Sequence, residues 1–340
     1  MLREKERLIH TLRQQAVDRP PFICPGGMMN LVTREMMEKA AVYWPEGHQN
    51  PEAMAKLAMA AWQEGCFENY GLPFCMTVEA EGMGAKVDMG SLTCEPHVVG
   101  YAISTVKDWR VLPMLDCGSG RARVTLEAIR LLHSRAEDIP IIGNLTGPIS
   151  LAGSLLDPVI FYRELRKEKE EAREFLNFIC RSLINFGLCQ MEEGADIIAI
   201  SDPSGSGEIL GPKLFGEYVV PALNRIIDAL QESCPHCQVI VHICGKMHKV
   251  YGQLQKLHCK AISFDALVNL REARAALPGK VIMGNISTYA LEFAGIEKIQ
   301  GIVGHCLSSG ANIVAPACGL GINTPIENLR AAQKKVQGAV

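Results

Sequence analysis

A chain of 340 residues with 48% hydrophobic and 21% charged side chains can bury a large core and is not disordered by composition. Its net charge of −3 gives no electrostatic reason to expect nucleic acid or an anionic membrane as partner. No apolar run is long enough to span a bilayer, and the charged start Met1 to Gln15 lacks the apolar stretch of a signal peptide, so the chain reads as intracellular and cytoplasmic.

Taken in order, Met1 to Gln15 predicts an amphipathic lead-in helix. A short apolar strand follows at Phe22-Ile23-Cys24, then the glycine-rich loop Pro25-Gly26-Gly27-Met28-Met29-Asn30. That loop lacks the Gly-Lys-Ser/Thr ending of a P-loop, and its use is close approach of backbone to a ligand, with Asn30 a candidate substrate contact. Pro51 to Glu64 has a helical period. Phe67 to Val78 holds a second strand, and the Gly-rich stretch Glu79 to Gly100 reads as a hairpin excursion.

Helix and strand then alternate. Helices are expected at Ala122 to Arg135, Tyr162 to Glu193, Pro212 to Glu232, Lys246 to Lys256, Leu270 to Leu277, Ile296 to Ser308 and Pro325 to Gln337. Between them lie short apolar strands at Ile139 to Asn144, Asp196 to Asp202, Val239 to Gly245, Ala261 to Asp265, Val281 to Asn285 and Asn312 to Ala315. Eight such strands favour a (β/α)8 TIM barrel with a helical lead-in and a hairpin insertion. A doubly wound open sheet is the alternative, weakened because no G-x-G-x-x-G follows any strand. The run Arg163 to Arg173 reads as a solvated helix face with i,i+4 pairs.

In such barrels chemistry sits at the carboxyl ends of the strands. Those ends carry Asn144, Asp202, His242 with Cys244, Asp265, Asn285 and Cys318. Side chains two apart on a strand share a face, so His242 and Cys244 project together. An imidazole and a thiolate side by side begin a zinc site, and Cys318, between Pro316 and Gly319, can supply the third ligand. Three protein ligands leave one position open, the mark of a catalytic zinc. Glu79 and Glu81 can supply an acid or a fourth ligand, or simply face solvent on the hairpin.

The other cysteines, of thirteen in all, have plainer readings. Cys24, Cys66, Cys75, Cys180, Cys189 and Cys306 suit small core positions. Cys234-Pro-His-Cys237 is a C-x-x-C with no second pair to complete a structural zinc. Two thiolates and an imidazole surround a metal with negative charge. Such a centre is a poor acid toward water but a good holder of an added thiolate, which favours alkyl transfer to sulfur over hydrolysis.

The chain resembles the uroporphyrinogen decarboxylase superfamily, and within it the methylcobamide:coenzyme M methyltransferase branch. The resemblance spans nearly all of residues 1 to 340, read as one domain. It rests on Pro25 to Asn30, Glu79-Ala-Glu-Gly-Met-Gly84, Gly143-Asn-Leu-Thr-Gly-Pro148, Asp202-Pro-Ser, Gly284-Asn-Ile286 and, most specifically, His242-x-Cys244 with distal Cys318. It implies a (β/α)8 fold and a zinc held by His242, Cys244 and Cys318. It further implies a methylcobalamin or other methylcorrinoid donor carried by a separate corrinoid protein, and a small thiol acceptor such as coenzyme M. Asn30, Asn144, Asp202, Asp265 and Asn285 are the residues expected to orient substrate or the ligands.

The sequence departs from the decarboxylase proper, which the resemblance implies should carry arginines in its first loop and an aspartate near its second strand. Cys24 to Asn30 contains no arginine, and Pro73 to Val78 contains no aspartate. Other readings consistent with the residues are a corrinoid-dependent demethylase working in the opposite half-reaction or with an acceptor such as tetrahydrofolate, a metal-free decarboxylase-like enzyme, and a non-catalytic corrinoid-binding protein with a closed structural zinc.

Overall fold

The computed structural model describes residues 1–338. Six segments, Tyr70–Leu72, Ile141–Thr146, Ile197–Ser201, Gln238–Ile243, Ala261–Phe264 and Val281–Met283, pair in chain order as one parallel sheet. Isoleucine and valine dominate them and nearly every position is buried, as strands covered on both faces require. Two shorter segments complete the ring. Phe22 bridges to Val314 and Ile313 bridges to Met283, both parallel. On the other side of Phe22, its carbonyl accepts from Glu68 N at 3.0 Å. The eight segments therefore close into a (β/α)8 barrel.

At the seam between the first two segments a side chain replaces the missing ladder. Asn69 Oδ1 accepts from Cys24 N at 2.9 Å, and its Nδ2 donates to Cys24 O at 2.8 Å. Asn69 is wholly buried, so these two bonds satisfy groups that water cannot reach. The lead-in helix Glu4–Leu12 closes the amino end of the barrel, with Lys5 paired to Asp196 at 2.6 Å. Beneath it the buried Glu68 pairs with Arg19 at 2.5 Å and accepts from Gln333 Nε2 at 2.8 Å, joining the first strand to the last helix, Ile326–Gln337.

Several elements differ from the sequence expectation, each for a tertiary reason. The region Tyr162 to Glu193 is two helices, Pro158–Lys167 and Lys169–Glu192. The Leu165 carbonyl that would receive the Lys169 amide is taken instead by Tyr218 Oη at 2.7 Å. The charged run there is not uniformly solvated. Arg173 reaches Glu170 and also Glu217 on another helix, while Glu164 is buried and accepts from Val106 N at 2.8 Å. Glu79 to Gly100 is not all hairpin. Val78–Gly82 is a helix, and the antiparallel pair Lys86–Asp88 and His97–Gly100 follows it.

Lys246 to Lys256 holds only a 3-10 turn, His248–Val250, and a single helical turn, Tyr251–Leu254. Short helices at Arg34–Ala40, Pro148–Leu155 and Thr288–Phe293 add to those expected. All thirteen cysteines are free thiols, and among the described residues no helix is long and apolar enough to cross a membrane.

The Asn69 clamp gives a direct test of seam energetics. Asn69→Ala leaves a buried donor and a buried acceptor unpartnered and is expected to lower stability by about 2–4 kcal/mol. Urea denaturation should show this as a lower midpoint at unchanged slope.

Candidate metal centre

Strand Gln238–Ile243 sits between two neighbours, with Ser201 opposite His242 on one side and Ser263 opposite it on the other. Those ladders fix its register, so His242 points inward at the carboxyl end and is buried. Cys244, two residues on, shares its face at the half-buried rim. Cys318 arrives from the opposite end of the ring. Ala317 N donates to Ile286 O at 2.8 Å, and Leu320 N donates to Asn30 O at 2.9 Å, so the loop after the last strand is sewn to the loop after the first. Gly319 is pressed into that seam: a Cβ there would lie 2.7 Å from Met28 O.

The three side chains meet. His242 Nε2 lies 3.2 Å from Cys244 Sγ, Cys244 Sγ lies 3.9 Å from Cys318 Sγ, and all three potential ligand atoms fall within 4.8 Å of one another. A tetrahedral zinc at ordinary bond lengths separates two sulfurs by roughly 3.8 Å and a sulfur from a nitrogen by roughly 3.5 Å. The donor set and its spacing therefore fit zinc. Among the described residues, this is the one such grouping of His, Cys, Asp and Glu ligand atoms.

The local electrostatics point the same way. The two thiols lie too close for both to ionise easily without a cation. Contact with the Cys244 sulfur, together with His242 and the Gly319 amide, holds the Cys318 thiol below its ordinary range despite burial. Cys244 is pushed far up, by its hydrogen bond with Cys318, then by burial and by the charge of Cys318. One negative charge thus rests on Cys318 while Cys244 stays protonated, and a bound cation would admit the second.

Ser263 is the residue that sequence reading passed over. Its Oγ lies 3.0 Å from His242 Nδ1, leaving Nε2 to face the sulfurs. Such outer partners orient a ligand imidazole and set its tautomer. Its polarity within Ala261–Phe264, at the register opposite His242, was the available clue. Asp265 grips the Cys244 turn, Oδ2 accepting from Gly245 N at 3.0 Å. Asn285 in turn donates to Asp265 O and Val268 O, each at 2.8 Å.

Other sequence-predicted positions lie further from the thiols in role. Asn144 Nδ2 donates to Pro25 O at 2.7 Å and to Leu72 O at 3.1 Å, tying three strand ends together. Asp202 is fully buried and accepts from Ser150 N and Ser150 Oγ, at 2.8 and 2.7 Å, at the start of helix Pro148–Leu155; burial raises its carboxyl against those bonds. Asn30 Oδ1 accepts from Val32 N at 3.0 Å and holds its own loop. Glu79 is buried rather than solvated, and accepts from Thr146 N at 2.7 Å and from Thr146 Oγ1 at 2.9 Å. Glu81 pairs with Arg121 at 2.5 Å, and Arg121 also donates to Thr77 Oγ1 at 2.8 Å.

The hairpin brings one more carboxylate toward the site. Burial pushes Glu95 up to about 7, with Asn30 pulling it down and Cys318 raising it further. The hairpin thus reaches over the mouth of the barrel, which the sequence placed only as an excursion.

The family model described as Uroporphyrinogen decarboxylase (URO-D) matches residues 3–338. Methylcobamide:CoM methyltransferase MtbA of Methanosarcina acetivorans is 32% identical over 98% of this chain and 97% of its own length. Methylcobamide:CoM methyltransferase MtaA of Methanosarcina barkeri is 30% identical over 96% of this chain and 95% of its own. A solved methyltransferase from Methanosarcina mazei superposes with a TM-score of 0.92 at 27% identity, covering 99% of both chains.

Two outcomes test the centre itself. In metal-free protein, Cys318 should be alkylated by iodoacetamide at pH 7 well ahead of Cys244, as peptide mass mapping would show, because its thiol is the ionised one of the pair. Acidification protonates that thiolate and slows the reaction. Ser263→Ala should weaken zinc affinity about 10–100-fold in chelator competition while leaving the fold intact.

Proposed function

The chain belongs to the uroporphyrinogen decarboxylase family and is a methyltransferase, and we propose that it moves a methyl group from a methylated corrinoid, carried by a separate corrinoid protein, to a thiol such as coenzyme M. The observation that carries this reading is the meeting of His242, Cys244 and Cys318 at the mouth of the barrel. The names of the relatives, methylcobamide:CoM methyltransferases at about a third identity over nearly full length, support the same donor and acceptor.

His242 Nε2 and the sulfurs of Cys244 and Cys318 would hold the zinc. Zinc bound by two thiolates and an imidazole supplies an open position at which an incoming thiol is kept ionised and nucleophilic near neutral pH. Ser263 holds the imidazole in the tautomer that offers Nε2. Asp265 fixes the turn that presents Cys244, and Asn285 steadies Asp265. Asn30 and Glu95 approach from the first loop and the hairpin, where they can orient the acceptor. Asn144 and Asp202 serve by holding the loops that frame the mouth. The substrate thiolate attacks the methyl carbon in line. The new C–S bond forms as the Co–C bonding pair passes to cobalt, so the corrinoid leaves as Co(I).

A decarboxylase reading has less support. Cys24 to Asn30 offers no arginine for substrate carboxylates, and Arg121, beside the second strand end, is committed to Glu81, Cys75 and Thr77.

Metal analysis with zinc-edge absorption, before and after adding coenzyme M, tests the proposal. One zinc per chain and an added sulfur neighbour on thiol addition are expected. Zinc unmoved by the thiol would redirect the reading to another acceptor or to the demethylase direction, and absence of zinc would overturn the metal centre. Cys244→Ala should reduce zinc occupancy to about a tenth or less and remove transfer activity.

A further inference from the structure

The turn that carries Cys244 is held from outside itself. The two backbone amides after Cys244 are both drawn to carboxylates: Gly245 N donates to Asp265 Oδ2 at 3.0 Å, and Lys246 N donates to Glu208 Oε2 at 2.9 Å. The hydrogen-bond partners of the Cys244 sulfur are His242 Nε2 and the Cys318 sulfur, with no backbone amide among the described residues.

Glu208 belongs to the first turn of helix Gly207–Leu214, where an acidic residue commonly serves its own helix. That helix already has a cap, for Ser206 Oγ accepts from Ile209 N at 3.3 Å. The Glu208 carboxylate reaches instead across to the loop after the next strand. The fit is close: Gly245 has φ of 82°, and a Cβ there would lie 2.7 Å from Glu208 Oε2. A side chain at 245 would be strained by its backbone and would displace the carboxylate.

We propose that Glu208 is a positioning residue of the metal centre, an inference that rests on the methyltransferase reading above. By accepting from Lys246 N, while Asp265 accepts from Gly245 N, Glu208 keeps the turn from folding back to donate to the Cys244 sulfur. Amide hydrogen bonds to a ligand sulfur withdraw charge from it and from the metal. Without them Cys244 keeps its full donor strength, and an incoming thiolate at the open position stays correspondingly nucleophilic. Cys244 is therefore a strong donor whose strength depends on the two carboxylates that occupy the amides of its turn.

The test uses the full-length protein loaded with cobalt(II) in place of zinc. It reads the thiolate-to-cobalt charge-transfer absorption, metal affinity by chelator competition, and kcat and KM for thiol methylation. Glu208→Ala should move the charge-transfer band and lower kcat about tenfold, with cobalt stoichiometry and KM for the thiol unchanged. Glu208→Gln, whose amide oxygen still accepts from Lys246 N, should restore the band and return kcat to within about twofold of the parent. A Glu208→Ala protein with the parent's band and kcat overturns the inference. Equal impairment of both variants also overturns it, because charge rather than the accepted hydrogen bond would then be the active property. A parent protein with no cobalt–thiolate band at all would overturn the metal-centre reading, and this inference with it, before any variant is made.

Discussion

A parallel ladder that closes on itself is the constraint on which the rest of this molecule depends. Six strands pair in chain order, and the bridges from Phe22 to Val314 and from Ile313 to Met283 join the ends. Closure brings the loop after the first strand against the loop after the last, where Leu320 N donates to Asn30 O at 2.9 Å. Cys318 thereby comes within 3.9 Å of a cysteine 74 residues earlier in the chain. An open sheet with the same strands would leave those two loops at opposite edges.

Closure also concentrates negative charge. Two thiols, the half-buried Glu95 and the carboxylates of Asp265 and Glu208 all approach the end of the Gln238–Ile243 strand. The metal-free protein accommodates this by keeping one thiol protonated and by directing Asp265 and Glu208 onto backbone amides. A divalent cation at the three ligands would relieve the remaining repulsion, so metal binding and protonation there are linked. The same arrangement shields the Cys244 sulfur from amide donors and leaves it basic.

The amino end of the barrel serves a different purpose. Glu68, Arg19, Arg7 and Gln333 form a buried network that ties the first strand to the last helix, and Asn69 supplies two bonds that a ladder would otherwise make. These groups lie at the far ends of the strands from the thiols. Their loss should be felt in stability before it is felt in chemistry, in keeping with the division of labour between the two faces of such barrels.

Much of this was readable from local pattern. Short runs such as Ile197–Ser201 and Gln238–Ile243 are apolar on both faces, so they announce buried parallel strands, and the spacing of His242 and Cys244 places both on one face by the two-residue period alone. Cys318 was legible as a candidate third ligand because it too ends a strand, and the fold brings its sulfur within 3.9 Å of Cys244 Sγ. Other features were not local. The break at Glu168 arises because Tyr218 takes the Leu165 carbonyl, and no residue near 168 encodes that. Glu79, readable either as an acid or fourth ligand or as hairpin surface, is buried against Thr146, more than sixty residues away. Ser263, Glu95 and Glu208 gain their places through register across strands and the fold of loops from other elements. Local pattern alone was enough for the strands, their alternation with helices and the candidate ligand pair on one of them, because these follow from side-chain periodicity along one segment. Which carboxylates hold the Cys244 turn and which hydroxyl meets the imidazole had to come from the fold, because hydrogen-bond partners are chosen by distance in space and not by separation along the chain.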